Sequence, residues 1–151
     1  HSNRHILKEL LPKIDLLIGA VLVVGAKAPK LIDRELLSIM KTGSVVVDVS
    51  VDQGGCIETT RPTTHTKPTF VEEGVIHYCV ANMPGAVPYT STIALSNATF
   101  NYVKELANHG MNIFKNNSEL LTGLNTLKGK ITHKAVAESF DLKYTNPLEL
   151  I

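Results

Sequence analysis

The chain has 151 residues, 44% of them hydrophobic, and 15 Lys and Arg against 14 Asp and Glu give a formal net charge of +1. That apolar content can bury a sizeable core, while a balanced charge with no basic block gives nucleic acid or an anionic membrane no electrostatic footing. No apolar run reaches the length of a membrane span, His1 to Glu9 is polar where a signal peptide would be apolar, and Cys56 and Cys79 are too few and too isolated for a disulfide framework or a Cys-x-x-Cys metal site, so a cytosolic protein with free thiols is expected.

Residues 6–13 read as a helix, and the chain starts inside it without a Met, as a fragment of a longer protein would. Residues 15–24 are nearly continuous Leu, Ile, Val and Ala with Gly19, the pattern of a parallel strand covered on both faces. Pro29 then fixes its own φ and pushes Ala28 away from helix, which makes a loop. Asp33 is placed to cap a helix over 34–41, with Leu36, Leu37 and Met40 on one face and Thr42-Gly43 as its stop. Residues 44–51 repeat the buried-strand pattern, and strand–helix–strand alternation predicts a parallel sheet with right-handed crossovers, a Rossmann-like α/β architecture. Residues 54–74 read as a long loop with a weaker segment at 69–72. Residues 75–83 form a third strand, closed by Pro84-Gly85.

From Thr90 the character changes. Residues 91–109 read as a long amphipathic helix with Ile93, Leu95, Ala98, Tyr102 and Leu106 in apolar positions and Gly110 as its stop. Short helices are expected at 111–115, at 118–121 with Ser118 capping and Gly123 stopping, and at 133–140, with a small strand or turn at 126–131. A domain transition is expected near Pro88.

In a parallel sheet the three strand ends lie side by side, so Val21-Leu22, Val49 to Gln53 and Val80 to Met83 form a wall suited to a flat ring and ribose, or are simply the ends of core strands. Asp52 follows a buried strand and precedes Gly54-Gly55, where backbone can approach a ligand closely. Such a carboxylate can hold a substrate amine or polarise a water; it can equally cap the N–H groups of its own turn. Asp48, inside the strand run, reads as a structural partner to a neighbouring loop. Glu105 and His109, spaced i, i+4, share one helix face and could share a divalent ion or form an exposed ion pair. His65 reads as a loop residue, His77 as facing out of its strand, and Arg61 as solvated surface or a phosphate contact. No Gly-x-Gly-x-x-Gly occurs, so the element that seats a pyrophosphate on a helix N-terminus has no counterpart in this chain.

Four ordered motifs carry a resemblance. Gly-Ala-Val-Leu-Val-x-Gly-Ala-Lys-Ala-Pro-Lys-Leu (19–31), Val-Asp-Val-Ser-Val-Asp-Gln-Gly-Gly (47–55), Arg-Pro-Thr-Thr-His (61–65) and Val-Ala-Asn-Met-Pro-Gly-Ala-Val-Pro-x-Thr-Ser-Thr (80–92) closely resemble alanine dehydrogenase. The likeness continues through 94–99, 123–125 and 135–138, and it places the chain as the C-terminal portion of that enzyme. It implies that residues 1–88 are the second half of a Rossmann-type NAD-binding domain with a parallel sheet. Residues 89–151 are then a connecting helix and a small helical segment of the substrate domain.

The resemblance further implies oxidation of L-alanine with NAD and water to pyruvate, ammonium and NADH, and the reverse, by a cytoplasmic homo-oligomer that is typically hexameric. Asp52 matches the catalytic aspartate. Val21 and Leu22, the run Val49, Ser50, Val51 and Asp52, and Val80, Ala81, Asn82 and Met83 match cofactor-contacting stretches. The catalytic His, the substrate-binding Arg and Lys and the glycine-rich phosphate loop belong upstream, so the chain alone is expected to be inactive. Val24 stands where Pro is usual, Ser50 where Ala is usual, and Tyr89 where a basic or polar residue is common. The alternatives are the NAD(H)-binding component of a proton-translocating nicotinamide nucleotide transhydrogenase, from which Asp52 discriminates, and a non-catalytic fragment.

Overall fold

The computed structural model describes residues 3–151, which divide into two compact units: residues 3–23 with 27–86, and residues 24–26 with 87–151.

In the first unit, Asn3 accepts a hydrogen bond from the His5 N–H and opens helix α1, Arg4–Leu10. Pro12 then tightens the chain into a 3-10 turn at Leu11–Lys13. Strand β1 is Leu16–Gly19. Asp33 caps α2, Arg34–Ser38, through the Leu36 N–H at 2.9 Å. Strands β2, Val45–Asp48, β3, Thr69–Glu72, and β4, Val75–Tyr78, complete a sheet of order β1-β2-β4-β3. β1, β2 and β4 are parallel, with Leu17 beside Val46 and Val46 beside His77. The weaker segment expected at 69–72 is the fourth strand, antiparallel to β4.

One face of this sheet is covered. Val46 and Val75 pack there with Leu11, Leu36, Leu37 and Ile57, and with half-buried Leu7 and Leu17. The strand expected over 15–24 is correspondingly shorter and less enclosed than its continuous apolar run suggests. Leu16 and Ile18 point to the opposite face and are 51% and 59% exposed. The ladder ends where the Gly19 carbonyl accepts the Val49 N–H at 2.7 Å, and Leu22 and Val24, at 68% and 70%, lie outside the sheet. The other strands also stop short of the expected 44–51 and 75–83, because the chain turns at Ser50 and at Asn82.

His77 is a correction of a different kind. It was expected to face outward and is instead fully buried. Its Nδ1–H donates to the Val75 carbonyl at 2.9 Å and its Nε2 accepts the Thr59 hydroxyl at 2.8 Å, so neither nitrogen is left unpaired. The ring stacks on its cross-strand neighbour Phe70, centroids 4.8 Å apart.

In the second unit, Gly25 (φ +73°) turns residues 24–26 so that its carbonyl accepts the Ser139 hydroxyl at 3.2 Å. Helix α3 is Pro88–His109, three residues longer at its start than expected because Pro is well suited to a first helical turn. It ends where Gly110, at positive φ, donates to the Leu106 carbonyl. None of its side chains is buried: Ile93, Leu95 and Tyr102, in the apolar positions of the expected amphipathic helix, are 45%, 66% and 42% exposed.

The short helix expected at 111–115 is a 3-10 helix over Gly110–Lys115, which buries Phe114. Asn117, not Ser118, caps α4, Ser118–Thr122, through the Leu120 N–H. The segment at 126–131 is a small antiparallel hairpin of β5, Thr126–Leu127, and β6, Lys130–Ile131. His133 caps α5, Lys134–Ser139.

Candidate active site

At the end of β2 the chain leaves the sheet through Val49 and enters a 3-10 turn at Val51–Gln53. Gly54 and Gly55 follow with φ of +90° and +73°, conformations an L side chain rarely adopts. Buried Asp48 organises this turn. Its Oδ1 accepts the Ser50 N–H and the Ser50 hydroxyl, and its Oδ2 accepts the Cys56 N–H and the Thr60 hydroxyl, at 2.7 to 3.0 Å. The Gln53 and Gly55 N–H groups go to the Ser50 carbonyl, and the Gly54 N–H to that of Val51.

With those donors satisfied, Asp52 is left out of the turn's hydrogen bonding. It is exposed and, among the described residues, its carboxylate has no hydrogen-bond or ion-pair partner. Of the two sequence readings of Asp52, the capping carboxylate is not the one the structure adopts: Asp48 performs that role. Beside Asp52, the Gln53 side-chain oxygen is buried without a partner among the described residues.

The segment around Lys30 holds the other side of the turn. Ala28 donates to the Gln53 carbonyl, Leu31 and Ile32 donate to that of Cys56, and Glu58 donates to that of Ile32. The Lys30 ammonium donates to the Gly54 carbonyl at 2.5 Å and the Ile57 carbonyl at 3.0 Å. Sequence reasoning did not single out Lys30 or Thr60; the signal available was the Lys-Ala-Pro-Lys pattern and the paired Thr59-Thr60.

The parallel pairing of β1, β2 and β4 sets the remaining expected residues at the same end of the sheet. Val21 is half-buried and lines an apolar cavity of about 190 Å³ along β1 with Gly19, Ala20 and Ile57. Leu22 and Val49 are exposed, whereas Ser50 and Val51 are buried. Val80 is buried, Ala81 and Met83 are half-buried, and Asn82 is exposed. Asn82 has φ of +57°, a strained backbone for a residue with a side chain, and such strain gathers at functional sites. Its carbonyl accepts the Gly85 N–H at 2.9 Å and the His65 Nε2–H at 3.2 Å. His65 therefore anchors the loop after β4, a contact that sequence reasoning missed.

Small and apolar strand ends, a cavity along the first of them, and open space beside Gly54 fit the flat ring and ribose of a nicotinamide nucleotide. Arg61 is engaged elsewhere: its guanidinium lies 3.8 Å over the Phe70 ring and 3.5 Å from the Glu72 carboxylate. Glu105 and His109 do meet, with His109 Nδ1 3.4 Å from the Glu105 carboxylate and 3.1 Å from its carbonyl. No group of three or more His, Cys, Asp or Glu that could hold a metal occurs among the described residues. Cys79 is buried and its thiol is pushed up to about 11, chiefly by loss of solvent. No helix among the described residues is long and apolar enough to cross a membrane.

The family model for the alanine dehydrogenase/PNT C-terminal domain matches residues 1–134. The alanine dehydrogenase of Halomonas elongata is 55% identical over 151 residues, covering 99% of this chain and 41% of that protein. That of Staphylococcus haemolyticus is 55% identical over 147 residues, covering 96% and 39%. A solved L-alanine dehydrogenase superposes with a TM-score of 0.77 at 50% identity over 93% of this chain and 39% of its own. A solved transhydrogenase from Sinorhizobium meliloti gives 0.54 at 32% identity, over 59% of this chain and 25% of its own. The chain spans well under half the length of the relatives it matches, and it belongs to the alanine dehydrogenase/PNT C-terminal domain family.

Proposed function

We propose that this chain is the C-terminal part of an NAD-dependent alanine dehydrogenase, which converts L-alanine, NAD and water to pyruvate, ammonium and NADH, and runs in reverse. The observation that carries the reading is Asp52, an exposed carboxylate without a partner among the described residues, held where three parallel strands end. Residues 1–88 act as the second half of the NAD-binding domain, and residues 89–151 as the connecting helix and the returning piece of the substrate domain. The division of the described chain into compact units between Ala86 and Val87 supports that assignment.

Bound NAD would supply the acceptor for the hydride that leaves the substrate carbon. Val21, Leu22, Val49, Ser50, Val51, Val80, Ala81, Asn82 and Met83 form the wall that would hold its ring and ribose. The Asp52 carboxylate orients the substrate amine and accepts a proton from the water that attacks the imine carbon, which is general-base work suited to an accessible carboxylate. Arg61 is a lesser candidate for a cofactor contact, since Phe70 and Glu72 already engage it. A divalent ion at Glu105 and His109 would need further donors. The working form is a homo-oligomer, a hexamer by resemblance, in the cytosol.

The likeness to the Sinorhizobium meliloti transhydrogenase favours a second reading, a nicotinamide nucleotide transhydrogenase component. One assay separates the two. The full-length protein bearing this sequence is expected to form NADH only when L-alanine is supplied; hydride transfer between two nicotinamide nucleotides without alanine would reverse the ranking.

A further inference from the structure

Asp48 is not in the proposed reaction, yet every hydrogen bond its carboxylate accepts comes from the turn that carries Asp52. Strand β2 delivers it, fully buried, to the covered face of the sheet. Its two oxygens divide their donors between Ser50, before Asp52 in sequence, and Cys56 and Thr60, after it. Gly55 lies in the closest part of this clasp. A Cβ there would stand 2.7 Å from Asp48 Oδ2 and 3.4 Å from the Lys30 ammonium, which itself holds the Gly54 and Ile57 carbonyls.

A buried carboxylate is a poor device for stability alone, because well-packed apolar side chains commonly stabilise a core as well or better. What five convergent donors supply is direction, since together they fix the path of the intervening residues. We infer that Asp48 is the positioning residue of this site: through Ser50, Cys56 and Thr60 it sets the direction in which the Asp52 carboxylate leaves the strand end. The inference rests on the reading of Asp52 as the reacting carboxylate.

The test uses the full-length enzyme bearing Asp48→Asn or Thr60→Val, each alone and each combined with Asp52→Asn. Asp48→Asn is expected to lower kcat by about 10- to 100-fold, as misplacement of a reacting group does. Amide hydrogen exchange across residues 50–60 should accelerate while the β1, β2 and β4 amides keep their protection. In the Asp52→Asn background the Asp48 substitution should cost nothing further, because its effect passes through Asp52.

Losses that multiply in the double variant, or unchanged kcat and unchanged exchange in Asp48→Asn, would overturn the positioning role while leaving the alanine dehydrogenase reading intact. Should Asp48→Asn not fold, Thr60→Val decides the matter in the same way: a loss of severalfold that vanishes beside Asp52→Asn supports the role, and a multiplying loss refutes it. Full turnover by Asp52→Asn alone would remove both the catalytic assignment of Asp52 and the role inferred for Asp48.

Discussion

Asp48 and Asp52 share one strand-to-turn stretch in opposite circumstances: Asp48 is fully buried and its carboxylate accepts five hydrogen bonds from Ser50, Cys56 and Thr60, the Cys56 thiol included, while Asp52 is exposed with no partner among the described residues. The buried carboxylate satisfies the turn, so the exposed one remains available for chemistry.

The two glycines after Asp52 are predicted to differ in their tolerance of a side chain. Both have positive φ, which costs an L residue about 1–2 kcal/mol. At Gly54 nothing lies within 4 Å of the added carbon, so Gly54→Ala should cost only that. At Gly55 the same carbon would stand 2.5 Å from the Thr60 hydroxyl and 2.7 Å from Asp48 Oδ2, adding an overpacking penalty of about 1–3 kcal/mol. Denaturant titration of the two variants should show the larger loss at Gly55. Equal losses would argue against the tight clasp around Asp48.

The buried imidazole of His77 gives a second prediction. Thr59→Val keeps the shape of the side chain but leaves the His77 Nε2 without its donor, and an unsatisfied buried acceptor costs about 1–3 kcal/mol. A fall of that size in unfolding free energy is expected, with Thr64→Val, a change to an exposed side chain, as a near-neutral comparison. A stability unchanged by Thr59→Val would mean that the Thr59–His77 bond contributes nothing.

Cys79 makes stability depend on alkaline pH. Its thiol is raised from an ordinary value of 9.0 to about 11 by burial. Because the folded-state value is the higher one, the unfolded chain releases the proton first, so the contribution is complete below about pH 9 and is lost as pH rises toward 11. Cys79→Ala should flatten this part of the stability profile, and alkylation of the folded protein should be slow at this position near neutral pH. An unaltered alkaline profile in Cys79→Ala would place the effect elsewhere.

Much of this architecture is legible in the sequence, and the exceptions have physical causes. The Asp33 cap, the Gly110 stop and three parallel strands follow from local pattern. The period of two that buries Val75 and Cys79 also buries His77, and polarity alone masked that alternation. The run through Leu22 and Val24 misleads because an apolar sequence does not report where its ladder ends. At the site, the Asp-Gln-Gly-Gly turn was visible, but the bonds from Lys30, Thr60 and His65 join segments distant in sequence, and spacing cannot reveal such contacts.

The role of Asp52 as the reacting carboxylate is best measured by alanine-dependent NADH formation in the full-length enzyme with and without Asp52→Asn, with NADH affinity measured alongside. Turnover is expected to fall by about 100-fold or more with affinity changed by no more than about threefold, since a general base contributes on the order of 10²–10⁴ to the rate and does not hold the pyrophosphate. Turnover by Asp52→Asn equal to that of the unaltered enzyme would contradict that role.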